Sequence, residues 1–210
     1  MSKKFTIGVN RSVTVKKQAG DLCITISEEG TDKLAEFTSK RWVQFVRVFD
    51  QIDESLIQMR ANQPVQYCTH IGGKWYVSVT NGFACVDIRQ FYYHPTQGPR
   101  PTKKGIALRI TEWVKLKDVV QQLDTKYPML TTTQTCSSQA DHYSLEGALS
   151  CLECFPFQSD ELYHSTTAWA SIHRLTGRLI RIVMPVQDHG CNSPPIGVDL
   201  SVELIWLKLR

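Results

Sequence analysis

One stretch of the sequence, VDIRQFYYHPTQGPRPTKKGIAL (residues 86–108), combines an arginine, three adjacent aromatic residues and a lysine pair around a loop rich in Pro and Gly. A hydrophobic core does not need the cations, and a simple turn does not need the aromatic rings. Cationic side chains beside aromatic rings are the residue types that contact phosphate groups and stack on bases. Without further context, the lysine pair is also consistent with a solvated loop.

A second set of residues has the types that bind metal ions. Cys136, His142, Cys151 and Cys154 follow the spacing Cys-x5-His-x8-Cys-x2-Cys. Thiolate and imidazole ligands in this number suit a tetrahedral zinc site. A single Cys-x2-Cys pair is common, so the cysteines are also consistent with buried or incidental thiols. Alternative ligands follow at His164, His173, His189 and Cys191.

The composition is that of a globular protein, with 42% hydrophobic and 21% charged residues. The sequence has no run of about 18 apolar residues and its first residues do not resemble a secretory signal, so we expect no membrane span. The net charge of +4 is unevenly placed: residues 1–130 contain 19 Lys and Arg against 12 Asp and Glu, and residues 131–210 contain 5 against 8. A nucleic-acid-binding surface is therefore expected in the first 130 residues.

The elements that position the first set belong to an internal repeat. Three collinear blocks match at shifts of 64, 62 and 71 residues: IGVNRSVTV (7–15) with IGGKWYVSV (71–79), GDLCITI (20–26) with GFACVDI (82–88), and KLAEFTSKRWVQFVRVFDQID (33–53) with KGIALRITEWVKLKDVVQQLD (104–124). Only small length changes separate the blocks, which favours a true repeat over chance.

Each repeat shows strand patterns followed by a helix pattern. Alternating apolar residues on both sides of a Gly-containing turn predict a hairpin, with a third and a fourth strand after it. A helix is expected to start at Thr38 or Ser39 in the first repeat and at Thr111 in the second. Apolar residues then fall at steps of three and four: Trp42, Phe45, Val46, Phe49 and Ile52, and Trp113, Leu116, Val119, Val120 and Leu123. We expect both tryptophans in the core.

These patterns predict an α+β fold of two tandem ββββα repeats, residues 1–60 and 64–128, joined by a short polar link from Gln58 to Pro64. A unit of about 60 residues is marginally stable alone. Two such units are therefore expected to pack helix against helix, as a pseudo-dimer within the chain or as part of a homodimer.

The second repeat resembles the positive cofactor four family of transcriptional coactivators. The family's domain has four strands and a helix, with an Ile-Asp-Ile-Arg-Glu-Tyr segment, a Pro/Gly loop, a Lys-Gly-Ile-Ser-Leu strand and a Gln-Trp helix start. VDIRQFYYHPTQGPRPTKKGIAL and the TEW that follows match this pattern almost end to end. The first repeat resembles it less closely, and together they cover residues 5–125. The resemblance implies binding of single-stranded DNA without base specificity, a nuclear location, and transcription or assembly proteins as further partners.

The resemblance also implies which residues contact the nucleic acid. Arg89 and Tyr92 occupy the family's strand arginine and aromatic positions, and Lys103 and Lys104 its basic pair. The other expected contacts are Lys74, Trp75 and Phe83 in the second repeat and Arg11, Lys16 and Lys17 in the first. Trp75 and Tyr76 are adjacent in a strand, so one of the two faces inward.

The first repeat departs from the family at the positions that carry charge. It has Ser27 where the family has its arginine, and its segment ITISEEGTDKLAEF is acidic and has no aromatic residue before its final Phe. Binding is therefore expected to be dominated by the second repeat.

Residues 131–210 differ in character and are expected to form a β-rich region with the candidate zinc site, including strands at residues 178–186 and 196–209. The sequence has no G-x-S-x-G, P-loop or HExxH motif, and nothing selects a general base for a catalytic zinc, so we expect no enzyme. The alternative to nucleic-acid binding is a scaffold protein, for example viral or chromatin-associated, that uses the repeats for assembly.

Overall fold

The computed structural model describes residues 2–18 and 20–157. The first repeat is a four-stranded antiparallel sheet followed by two helices. Its elements are β1 (Lys3–Thr6), β2 (Arg11–Gln18), β3 (Asp21–Glu28), β4 (Leu34–Thr38), α1 (Ser39–Arg47) and α2 (Phe49–Arg60). The strands pair in sequence order, as expected for a meander with short turns.

The second repeat has the same order of strands, followed by one long helix. Its elements are β5 (Gln66–Gly72), β6 (Trp75–Thr80), β7 (Cys85–His94), β8 (Gly98–Arg109) and α3 (Ile110–Lys126). Because α2 continues to Arg60, the connection between the repeats is shorter than the predicted link and comprises residues 61–65.

The two sheets pair equivalent positions of the repeats. Ile24 lies opposite Phe37 in the first sheet, and Val86 lies opposite Leu108 in the second. The four residues are buried, and they lie at the shifts of 62 and 71 residues found between the sequence blocks. The predicted α+β architecture of two four-stranded sheets, each followed by helical structure, is confirmed.

The helix starts are defined by side-chain caps. The Thr38 hydroxyl accepts a hydrogen bond from the Arg41 amide (3.3 Å), as predicted. At the start of α3 the carboxylate of Glu112 accepts one from the Arg109 amide (2.8 Å), while Thr111 lies inside the helix. The expected start at Thr111 is therefore wrong, because Glu112 provides the cap.

One hydrophobic core joins both repeats and includes Trp42 and Trp113, which are fully buried as predicted. The Trp113 ring lies 4.5 Å from the ring of Phe49 in α2. Its indole N–H donates to Asp53 (2.7 Å), which also binds Lys117 (2.6 Å). Each repeat thus covers apolar surface of the other, which a unit of about 60 residues buries poorly alone.

Beyond α3 the described chain consists of short helical turns: α4 (Met129–Thr132), two 3-10 turns (Cys136–Ser138 and Ala140–Tyr143) and α5 (Leu145–Leu149). Residues 131–157 contain no strand, and the strands expected at 178–186 and 196–209 lie outside the described residues. Within the part of the chain that is described, no helix has both the length and the apolar character needed to cross a bilayer.

Candidate nucleic-acid-binding surface and metal-ligand cluster

The sheet of the second repeat has one face on the core and one face turned away from it, which we call the open face. Val77 and Ile88 point to the core, so their strand neighbours Tyr76 and Arg89 point to the open face. Tyr76 lies opposite Arg89 in the register. The Tyr76 ring also lies 5.0 Å from the ring of His70 and 4.4 Å from that of Phe91.

The guanidinium of Arg89 is held in a fixed orientation on the open face. Its Nε and Nη2 donate to the two carboxylate oxygens of Asp87 (2.8 and 2.9 Å), and its Nη1 donates to the Thr102 carbonyl (3.0 Å). The hydrogen bonds to Asp87 raise the pKa of Arg89. Since a guanidinium has five N–H donors, the three bonds leave two for a phosphate. Asp87 offsets part of the arginine's charge.

The lysine pair lies on a bulge of β8. Between the pairs Arg89–Gly105 and Phe91–Pro101, the three residues 102–104 of β8 face Gln90 alone. The Thr102 hydroxyl closes the bulge by donating to the Gln90 carbonyl (2.8 Å). Extra residues on one strand bend it and redirect its side chains. Lys103 and Lys104 are exposed as a result, and neither forms a salt bridge with any described residue.

Gly105 is required next to this bulge. A Cβ atom at this position would collide with the carbonyl oxygen of Ile88 and with the Cα of Arg89. Glycine therefore permits the close approach of β7 and β8 where the lysine pair leaves the sheet.

Other predicted contacts lie around this surface. Lys74 is exposed in the turn between β5 and β6, with its Nζ 5.6 Å from the ring centre of Phe157. Phe157 is buried and also lies 6.0 Å from the ring of Tyr93. Phe83 is 71% exposed in the β6–β7 turn. The end of the described chain thus reaches one edge of the open face.

Tyr92 is exposed but does not share the face of Arg89. Side chains alternate along a strand, so Arg89, Phe91 and Tyr93 point to one face of β7, while Tyr92 points to the other. Both residues were expected to contact nucleic acid, and the alternation places them on opposite faces of the strand.

Two of the residues predicted to contact nucleic acid have little exposed surface. Trp75 is only 4% exposed and belongs to the core, because it has the same strand parity as Val77 and Val79. Arg11 is bound to Glu112 (2.7 Å), Glu28 (3.3 Å) and the carbonyl of Ala107. Its side chain is only 13% exposed, so it bridges the two repeats and is not available to a phosphate.

Sequence reasoning did not select Tyr76 and His70 for the open face. The signal for Tyr76 was present, since Trp75, Val77 and Val79 form an alternating apolar row that leaves Tyr76 outside. His70 has no such signal. Burial lowers its pKa, which favours the neutral ring.

The open face of the first repeat has a different chemistry. Thr25 and Ser27 stand at the positions of Asp87 and Arg89. Lys16 and Lys17 are exposed at the end of β2, away from any counterpart of the lysine bulge. The cations and rings of the second repeat are thus not reproduced in the first.

The structure brings the predicted metal ligands together. One ligand atom each from Cys136, His142, Cys151 and Cys154 lie within 4.8 Å of one another. The Cys136 Sγ is 3.5 Å from the Cys151 Sγ and 3.7 Å from the His142 Nε2. These are ordinary ligand separations around a tetrahedral ion with bonds of about 2.0–2.3 Å. The group could therefore bind a metal ion.

The surroundings of the cluster also fit a metal. The Nδ1 of His142 lies 2.9 Å from a carboxylate oxygen of Asp141, a pairing that orients a metal-bound imidazole. Four protein ligands leave no open coordination position, which is typical of structural sites and not of catalytic ones. The alternative ligands His164, His173, His189 and Cys191 lie outside the described residues.

Comparison with known proteins supports the family resemblance of the second repeat. Neither the curated proteins nor the solved structures include a significant match to the chain. One family model does match, over the segment from the end of β5 to the middle of α3. Residues 71–119, which contain the open-face arginine and the lysine bulge, match the family Transcriptional Coactivator p15 (PC4), and the sequence resemblance of the second repeat is thereby confirmed.

Proposed function

We propose that this protein binds single-stranded DNA without sequence specificity, as a non-enzymatic protein of the transcriptional-coactivator type. The observation that carries the proposal is the pair Lys103–Lys104, which is exposed and forms no salt bridge with any described residue. The pair lies on a glycine-dependent bulge beside Arg89, within the segment that matches the family. The site we propose comprises Arg89, Lys103, Lys104, Lys74 and Tyr76.

The chemistry of these residues suits an unpaired strand. Lysines and an oriented guanidinium follow phosphates, and aromatic rings stack on bases, since every base has a π-face. Phosphate contacts carry no sequence information, which favours nonspecific binding. Stacking requires unpaired bases, which favours single strands over duplex.

We propose that the two repeats are divergent tandem copies that pair as a pseudo-dimer within one chain. The bond from Trp113 to Asp53 and the shared core support this pairing. Only the second copy would bind nucleic acid strongly, because the first has Thr25 and Ser27 in place of the charged pair. A nuclear location follows from the family's role and is part of the proposal.

We also propose that the Cys3His cluster holds a structural Zn²⁺. The donor set, the ligand separations and the carboxylate behind His142 support zinc. Zinc is tested by elemental analysis of full-length protein purified without chelator, where one zinc per chain is expected. Protein without metal that also fails to take up added zinc would contradict the assignment.

Binding is tested by titrating a fluorescent single-stranded oligonucleotide at several salt concentrations. The triple variant Arg89→Ala/Lys103→Ala/Lys104→Ala should lose affinity at low salt. The slope of its log K against log salt concentration should be smaller in magnitude by about 2, since each phosphate contact on a single strand contributes about 0.7 to that slope.

The matched control is Arg60→Ala/Lys115→Ala/Lys126→Ala, which removes the same charges from exposed helical positions. It should bind almost as well as the wild type. Equal losses in both triple variants would mean that net charge alone decides the affinity and would overturn the site. Absence of binding to any oligonucleotide by the wild type would favour the alternative of a scaffold protein.

A further inference from the structure

Two contacts join the start of a helix in one repeat to the sheet of the other repeat. At the start of α3, Glu112 lies under the β1–β2 turn, where a Cβ at Gly8 would be 2.7 Å from its Oε1. The same carboxylate binds Arg11 on β2 (2.7 Å). We call this contact the first junction. It joins the helix of the second repeat to the sheet of the first through one buried ion pair.

The counterpart of this contact lies at the start of α1, and we call it the second junction. Arg41 is three residues after the cap of α1, as Glu112 is three residues after the cap of α3. It lies under the β5–β6 turn, where a Cβ at Gly73 would be 2.7 Å from its Nη2. In both junctions the third residue after a helix cap lies under a turn of the other repeat, but its charge is negative in the first and positive in the second.

At the second junction, strand β6 provides no charged partner for Arg41. The position equivalent to Arg11 is Trp75, which is buried in the core and carries no charge. The partner comes instead from the metal-ligand cluster, because both oxygens of Glu153 accept bonds from Arg41 (2.9 Å to Nε and 2.7 Å to Nη2). The carbonyl of Glu153 also accepts the Gly73 amide (2.7 Å).

Glu153 lies between two of the proposed zinc ligands, Cys151 and Cys154. An ion bound by both cysteines fixes the short turn that carries Glu153, and therefore fixes the positions of its carboxylate and its carbonyl. We infer that metal binding at this cluster completes the second junction, so that metal occupancy stabilises the pairing of the two repeats through Glu153. This inference rests on the proposed zinc site and assigns it a role.

The consequence is a linkage between metal and Glu153 that a purely local zinc site would not show. When metal is bound, loss of the Glu153 charge leaves the half-buried Arg41 without its partner and destabilises the fold. When metal is removed, the turn no longer holds Glu153, so the same substitution has little left to remove. Glu112 needs no metal, because helix α3 holds it.

The test measures the unfolding equilibrium of full-length protein in urea, with zinc bound and after removal of metal by a chelator. With zinc, Glu153→Gln should shift the equilibrium toward unfolding by about 10- to 100-fold, the usual range for a charge-assisted hydrogen bond. Without zinc, the shift should fall to about 3-fold or less, the level of surface substitutions. The control Glu112→Gln should cost the same in both conditions.

A second variant leaves zinc in solution and removes one of its protein ligands. In Cys154→Ser, added zinc should no longer restore the cost of Glu153→Gln. If the wild type binds one zinc per chain but Glu153→Gln costs nothing, or costs the same with and without zinc, the inference is overturned while the zinc site stands. If neither the purified protein nor added zinc gives a bound ion, both the zinc site and the inference fail.

Discussion

At the scale of single residues, the open face depends on which of two neighbours points outward. The sequence offered Trp75 and Tyr76, and the larger ring was expected to contact nucleic acid. Trp75 lies in the core because it continues the apolar row of Val77 and Val79. Strand alternation could have predicted this choice. The pairing of Arg89 with Asp87 could also have been predicted from the sequence, since residues two apart in a strand share a face.

The assignment of faces predicts that two tyrosines differ in importance. Tyr76→Leu removes a ring from the open face and should weaken single-strand binding by about 1–3 kcal/mol, the usual value for one stacked base. Tyr92→Leu, the matched control on the opposite face of β7, should change the affinity by less than about 0.5 kcal/mol. Fluorescence titration of both variants at one salt concentration checks this. A larger loss for Tyr92→Leu would show that nucleic acid follows the other face.

At the scale of elements, the existence and order of strands and helices could be predicted, but their irregularities could not. Four strands and a helix could be predicted in each half because apolar periodicity is a local property of the sequence. The bulge at residues 102–104 is different, since it depends on the register between β7 and β8. The helix breaks between α1 and α2 at Val48, where the amide bonds to the Phe45 carbonyl. This break could not be predicted either, because no Pro or Gly lies near it in the sequence.

The β5–β6 turn predicts a dependence of stability on pH. Nε2 of His70 lies 2.5 Å from the Gly73 carbonyl, to which the neutral ring donates. Burial lowers the pKa of His70 in the folded state, although Glu153 acts in the opposite direction. The unfolded chain therefore takes up a proton at higher pH than the folded protein does. The contribution of His70 is present above about pH 6.5 and is lost as the pH falls below that value.

The variant His70→Gln keeps an N–H donor but does not titrate. Its free energy of unfolding should fall less steeply between pH 7 and pH 5 than that of the wild type, as measured in urea at constant ionic strength. Acid also protonates the metal ligands, but this effect is common to both proteins and cancels in the comparison. Parallel pH profiles would show that His70 does not titrate differently in the folded and unfolded states.

At the scale of the whole molecule, the two repeats differ in what their polar residues contact. Both contribute apolar residues to the shared core. Only the second has Arg89 and the lysine pair on its sheet, whereas Arg11 of the first lies in a contact between the repeats. The sequence could predict the loss of charge at Ser27 but not the new role of Arg11, because that role depends on how the repeats pack. The role of Glu153 was hidden for the same reason.

The contact between α2 and α3 predicts that one chain is sufficient for the two repeats to pair. Asp53 of the first repeat accepts hydrogen bonds from Trp113 and Lys117 of the second within the same chain, so the helices need no second molecule. Sedimentation should give the mass of a single chain, 23.9 kDa. Asp53→Ala leaves the Trp113 indole N–H without its partner and should lower the free energy of unfolding by about 1–3 kcal/mol.

Glu54→Ala, at an exposed position beside Asp53 on α2, provides the matched control and should cost less than about 0.5 kcal/mol. Equal costs for the two variants would mean that Asp53 does not hold the repeats together. A mass of two chains that falls to one on dilution, with loss of stability, would place the pairing between chains. A single-chain mass together with the specific cost of Asp53→Ala would instead identify the helix contact as intramolecular, because no second molecule would be present to supply Trp113.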